Sequence, residues 1–290
     1  MKTLKILSNQ NKLYSETTSE AFYRDEQSDF SIRMVTRGTE EYTLNNKTIN
    51  VFPGYFLVLN DGTSYQRKIY TDGLSNTFSV QFSKRFLADY NRSLSCDDTA
   101  LMDMPFDDAN TPPGFYETLY PLKNDLMFTL LHLKDHFEKK ADNELLLNEY
   151  LYHSLLLFYQ VQHKEVLINS RRLNFVKPCT RNELFKRLNQ VKDYMISNCN
   201  QAISVEELSK VACLSECHLY KLFKDLYHCS PHQYLLKIRL NRAKTLLNDT
   251  NYPINEIIGM IGFENASSFI RLFKRNYEIT PQNYRAKNLA

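Results

Sequence analysis

Residues 204–231, SVEELSKVACLSECHLYKLFKDLYHCSP, are restated after a bridging segment by residues 253–281, PINEIIGMIGFENASSFIRLFKRNYEITP. Leu208 aligns with Ile257 and Leu214 with Phe263, an offset of 49 residues. After one inserted residue the offset is 50, and Leu219 meets Phe269, Phe223 meets Phe273, Lys224 meets Lys274, Tyr227 meets Tyr277 and Pro231 meets Pro281. Each copy is two short amphipathic helices and a tight turn, the size of a helix-turn-helix.

The second helix of each copy has two faces. Leu219, Leu222, Phe223 and Leu226 fall at helical spacing and belong to a core, as do Phe269, Leu272 and Phe273. Ser215 and Asn265 precede these helices as N-caps. A recognition helix offers its N-terminal half to base edges. The base-reading candidates are therefore Glu216, Cys217, Tyr220 and Lys221 in the first copy, and Ala266, Ser267, Ile270 and Arg271 in the second. Lys224 and Lys274 lie farther along each helix and suit phosphates. A bridging helix is expected over about 232–248, roughly 25 Å long at ~1.5 Å per residue. That length suits two readers on successive major-groove segments of double-stranded DNA, about 34 Å apart.

Charge follows the repeat. Residues 183–290 carry 15 Lys and Arg against 10 Asp and Glu, a net of +5, while residues 1–182 carry 21 against 23, a net of −2. The whole chain of 290 residues is 43% hydrophobic and 24% charged, ample for about two domains. No apolar run is long enough to span a membrane. Six scattered cysteines fit reduced thiols in the cytoplasm.

The segment RLNRAKTLLNDTNYPINEIIGMIGFENASSFIRLFKRNYEITPQNYR resembles the signature of the AraC/XylS transcription regulators. Arg239, Ala243, Leu247, Ile254, Ile257, Gly262-Phe263, Phe269, Phe273-Lys274, Thr280-Pro281 and Tyr284-Arg285 carry the resemblance, which covers about residues 183–287. It implies a seven-helix domain with two helix-turn-helix units, and DNA binding that controls transcription. Two places where the family has glycine, after each recognition helix, are His228 and Glu278 here.

The front of the chain is expected to be β-rich over 1–82 and helical over 83–165, with a linker at 166–182 and the DNA-binding domain at 183–290. Turn signals at Arg37-Gly38, Asn45-Asn46, Pro53-Gly54 and Asp61-Gly62 separate short apolar runs. Two helices follow, one on Leu119, Leu122, Leu126, Leu130, Leu133 and Phe137, the other over about 142–163 with apolar residues on more than one face. Such helices pack on their own sheet or form a homodimer interface through 119–163. Thr180-Arg181-Asn182-Glu183 and Ser204-Val205-Glu206-Glu207 fit capping boxes. The overall expectation is an α+β chain: a β-barrel or sandwich with helices, then an all-α domain.

Gly38, Gly54 and FSVQFS resemble the cupin-like sensor domain often fused in this family. Residues 1–131 contain no histidine, so a histidine-based metal site is not expected there. Tyr42, Tyr55, Phe56, Tyr65 and Phe78 are candidates to line a pocket for a small-molecule effector, or are simply core. Cys213, Cys217, His218, Cys229 and His232 are close in sequence, but Cys213 falls in the turn and Cys217 on the outward stripe, so no metal or cofactor is expected. No phosphate loop, nucleophile elbow or paired-carboxylate motif points to an enzyme. Two readings follow: a regulator controlled by a small effector, with RNA polymerase as a partner, or one whose front half only dimerises or binds a protein.

Overall fold

In a computed structural model, residues 1–44, 47–95, 114–139, 143–173 and 177–289 are described. The Asn45-Asn46 turn lies outside them. The chain divides into two compact units, Met1–His163 and Lys164–Ala290.

The first unit is built on strands β1 (Lys2–Ile6), β2 (Lys12–Gln27), β3 (Phe30–Arg37), β4 (Glu40–Leu44), β5 (Lys47–Val51), β6 (Tyr55–Leu59), β7 (Ser64–Phe82) and β8 (Leu119–Pro121). All pairings are antiparallel, in the order β1-β2-β7-β3-β6-β8, with β4 joining β7 to β5. The 19-residue β7 is the spine. Its first half pairs with the end of β2 and with β4, its second half with the start of β2 and with β3. Register shifts at Thr18/Glu20, Tyr23/Glu26 and Val35/Arg37 let these long strands bend. The result is a nearly closed antiparallel barrel. Two strands are much longer than the short runs expected from the turn signals.

Helices α1 (Lys84–Ser95), α2 (Asn124–Glu138) and α3 (Glu144–Gln162) complete the unit. The apolar core lies between the sheet and these helices. Leu13, Val80 and Ile32 share one row of the sheet, and Phe78, Met34 and Phe56 the next on the same face. Phe78 meets Phe137 of α2 at 6.0 Å, and Phe158 of α3 meets Phe30 at 5.7 Å and Phe56 at 6.3 Å. Burying one such ring is worth about 1.5–3 kcal/mol. Asn143 caps α3 by accepting from the Leu146 amide, which fixes its start. The helix expected to begin at Leu119 begins at Asn124 instead. Leu119–Pro121 is a strand, with Leu119 opposite Leu57. Pro121 disfavours helical backbone at Tyr120, so the leucine spacing there crosses a strand–helix junction.

A π-helical turn (His163–Ile168) spans the boundary, and the second unit then holds α4 (Pro178–Ser197), α5 (Val205–Ala212), α6 (Glu216–Tyr227), α7 (Pro231–Asp249), α8 (Ile254–Met260), α9 (Ala266–Tyr277) and α10 (Pro281–Leu289). The capping box expected at Thr180 does not start α4. Pro178 takes the first turn, and Lys177 precedes the helix without a side-chain cap. Proline's fixed φ suits that position, which places Thr180 within the first turn. The box at Ser204–Glu207 is present with both hydrogen bonds.

Candidate nucleic-acid interface and barrel interior

Helices α5–α6 and α8–α9 are the two repeated units, and their backbones match at the turn and at the cap that ends each second helix. The Leu214 amide donates to Ser209 O at 3.1 Å, and the Phe263 amide to Ile258 O at 3.1 Å, both 49 positions on. Cys213 (φ 50°) and Gly262 (φ 75°) hold the same left-handed turn position. His228 (φ 56°) and Glu278 (φ 62°) hold the same left-handed cap 50 positions apart, donating to Lys224 O and Lys274 O. The repeat runs past the two prolines. Tyr227 and Tyr234 pack on Phe223 at 4.5 and 5.5 Å, and Tyr277 and Tyr284 pack on Phe273 at 4.6 and 5.7 Å.

Both recognition helices are capped as expected. Ser215 accepts from the His218 amide, and Asn265 accepts from the Ser267 and Ser268 amides at 2.9 and 3.3 Å. Leu219, Leu222, Phe223 and Leu226 are buried, and so are Phe269 and Phe273, with Leu272 partly buried. Opposite them, Glu216, Cys217, Tyr220, Lys221 and Lys224 are exposed on α6. On α9 the exposed set is Ala266, Ser267, Ile270, Arg271 and Lys274. Tyr220 and Ile270, large side chains left 47% and 41% exposed, sit at equivalent places.

Helix α7 belongs to both units. Its Tyr234 joins the first aromatic cluster, while Leu240, Ala243 and Leu247 lie in one core with Ile257, Ile261, Phe269 and Phe273. Arg239 of α7 donates to Cys199 O at 2.8 Å and Gln201 O at 2.7 Å, tying down the end of α4. Gly262 approaches that same loop. A Cβ built on it would stand 2.6 Å from Asn200 O, so only glycine fits.

In the barrel the structure separates the five aromatic candidates. Phe56 and Phe78 face the helices, where Phe56 also stacks on Tyr120 at 5.4 Å. Tyr55 is half-buried and packs edge-on against Phe52. Tyr42 and Tyr65 come together at 5.9 Å on the opposite face. That face is polar and charged: Tyr14, Ser79 and Arg33 form one cross-strand row, and Tyr23, Arg67 and Tyr42 another. Arg33, Arg67, Glu16 and Glu40 are all buried. Composition and spacing do not single these four out.

Their partners form a network. Glu16 accepts from Tyr14 at 2.7 Å, from Tyr23 at 2.6 Å and from the Arg67 guanidinium. Glu40 accepts from Tyr42 at 2.7 Å. Arg33 donates to Ser31 at 3.1 Å and lies 4.3 Å over the Tyr65 ring. Burial pulls the Glu16 carboxyl upward, but the hydrogen bonds from Tyr23 and Tyr14 and the charge of Arg67 outweigh it and hold it below its ordinary value. Burial prevails at Glu40, which is raised despite Arg67. Burial also pushes the Tyr65 hydroxyl up to about 12.

Among the described residues no group of three or more His, Cys, Asp or Glu side chains is placed to hold a metal, and no helix is long and apolar enough to cross a membrane.

Residues 208–287 match the family model described as a helix-turn-helix domain. The chain is 25% identical over 258 residues to the lactose operon transcription activator of Staphylococcus xylosus, covering 88% of this chain and 82% of that protein. It is 39% identical over 101 residues to the probable transcriptional regulator LumQ of Photobacterium leiognathi, covering 34% of this chain and 41% of that one. A solved transcriptional regulator with an AraC-type DNA-binding domain, from Chromobacterium violaceum, aligns with 39% of this chain and 96% of its own at 27% identity and a TM-score of 0.34. Two matched helix-turn-helix units on one bridging helix, matched by the family model over 208–287, give the second unit of this chain the DNA-binding domain of an AraC-type transcription regulator.

Proposed function

We propose that one protomer reads two different major-groove segments, and that a small effector in the first unit controls the outcome. The observation that carries the DNA reading is the pair of exposed stripes on α6 and α9, unequal in chemistry on equivalent frames. Glu216, Cys217, Tyr220 and Lys221 read bases from the first unit, and Ala266, Ser267, Ile270 and Arg271 from the second. Arginine to guanine is worth about 1–3 kcal/mol of discrimination, and isoleucine suits a thymine methyl. Lys224 and Lys274 bind phosphates. Mobility-shift titrations over operator variants test the assignment. Arg271→Ala is expected to relax preference at one base pair, and Lys274→Ala to weaken all sequences alike. Identical behaviour of the two variants sinks it.

The relative from Staphylococcus xylosus is named an activator, which supports activation through RNA polymerase as the outcome here. We assign the protein to the cytoplasm, where its target DNA lies. The exposed Phe128 and Leu131 of α2 and Leu145 and Tyr152 of α3 support a homodimer through the helices within 119–163. Tyr42 and Tyr65 beside a buried charged network support an effector site in the barrel. In the competing reading the first unit only dimerises or binds a protein. Ligand-dependent thermal stabilisation of the full chain separates the two. Genome-wide footprinting with transcript profiling gives the operator and the sign of regulation.

A further inference from the structure

We infer that Arg239 is a positioning residue for DNA reading: by gripping the loop at the end of α4 beside the turn of the second helix-turn-helix, it fixes how far apart the two recognition helices stand. This rests on the two-segment reading proposed above and adds what sets the spacing.

The repeat extends one helix upstream of each pair. Leu188, Val191 and Met195 of α4 match Leu240, Ala243 and Leu247 of α7 at an offset of 52, and all six are buried. The same offset pairs Arg187 with Arg239. These equivalent arginines take different partners. Arg187 Nη1 donates to Cys213 O at 3.2 Å, so it holds the turn of its own helix-turn-helix. Arg239 lies 5.8 Å over the Phe263 ring, beside the second turn, yet its donors go to the first repeat: Nε to Cys199 O at 2.8 Å and Nη2 to Gln201 O at 2.7 Å.

The turns differ in the same sense. Cys213 is exposed. Its counterpart Gly262 meets the backbone of loop 199–201, where a Cβ would stand 2.6 Å from Asn200 O and 2.9 Å from Cys199 O. Arg242, three residues along α7 from Arg239, donates from Nη1 to the buried Cys199 Sγ at 3.2 Å. Helix α7 and the second turn thus both bear on one loop of the first repeat.

That grip matters because long helices bend, and α7 is the element the two readers share. One base pair of misplacement is about 3.4 Å of rise and about 35° of rotation, so a small swing takes the second reader off its bases. A guanidinium spans two carbonyls with a rigid fork, whereas an ammonium is a point donor on a flexible stem. Arg239→Lys therefore keeps the charge and loosens the grip.

The test uses the full-length protein on duplexes carrying both segments of its footprinted operator. The spacer is lengthened or shortened by one or two base pairs, and further duplexes keep one segment only. Wild type is expected to lose affinity about tenfold at one base pair of mis-spacing. Arg239→Lys and Arg239→Ala are expected to bind the correctly spaced duplex several-fold more weakly and to flatten the spacing penalty to about threefold or less, because the second contact loses its preset geometry. Both should bind the one-segment duplexes as tightly as wild type. Arg239→Lys decides the matter if Arg239→Ala does not fold. An equal loss on every duplex, one-segment ones included, means that Arg239 serves only the fold and overturns the inference. A wild-type spacing profile in the variants that fold also overturns it and leaves the two-segment reading standing. A wild type that binds one-segment and two-segment duplexes alike overturns both.

Discussion

His228 and Glu278 occupy left-handed backbone at the ends of α6 and α9, where a Cβ is a burden of about 1 kcal/mol. His228→Gly and Glu278→Gly are each expected to stabilise the second unit by about 0.5–1 kcal/mol, read as a higher denaturant midpoint at unchanged slope. Gly262→Ala acts in the opposite direction. It adds a Cβ at φ 75° and at 2.6 Å from the Asn200 carbonyl oxygen, so a loss of 2 kcal/mol or more is expected, roughly the left-handed penalty plus overpacking. The two non-glycine caps were visible in the sequence, because the offset of 50 places them together where the family has glycine. The need for glycine at 262 was not, since the carbonyl that demands it is 62 positions away.

At the scale of helices and strands, legibility follows local periodicity. The faces of α6 and α9, their caps at Ser215 and Asn265, and the Ser204 box are set within a turn or two of chain. Asn265→Ala is expected to cost about 1 kcal/mol, because two amides of α9 lose their acceptor. The barrel was harder. Arg33 lies between the buried Ile32 and Met34, and only its pairing with Ser79 shows that its face is polar inside rather than solvated. Glu16, Glu40 and Arg67 resemble surface charges in sequence because their partners sit on other strands. Leu119 and Leu122 matched a helical period by coincidence across Pro121.

The barrel network makes opposite demands on its two acids. Glu16 is held below its ordinary value of 4.5, so its ionised form stabilises the fold above about pH 4.5 and that stabilisation is lost as pH falls through the lowered value. Glu40 is raised, so its contribution is present below about pH 4.5 and is lost as pH rises through the raised value. Glu16→Gln is therefore expected to lower the melting temperature by several degrees at pH 7, with a difference that shrinks toward pH 3. A deficit that is constant with pH would show that Glu16 acts by shape and not by charge.

For the whole molecule, the central claim is that one protomer carries two unequal readers on one frame. The frame is shared through α7, whose Tyr234 serves the first unit and whose Leu240, Ala243 and Leu247 serve the second. The exposed stripes diverge, Tyr220 and Lys221 against Ile270 and Arg271. The half-site of one protomer should thus be two dissimilar segments about 34 Å apart, one turn of duplex. Hydroxyl-radical and methylation footprinting of one protomer on its operator tests this most directly. The account predicts two protected major-groove segments on one face of the duplex, about 10–10.5 base pairs apart and unlike in sequence, with Arg271→Ala opening one of them alone. A tandem repeat of one sequence, or protection of a single segment, would contradict it.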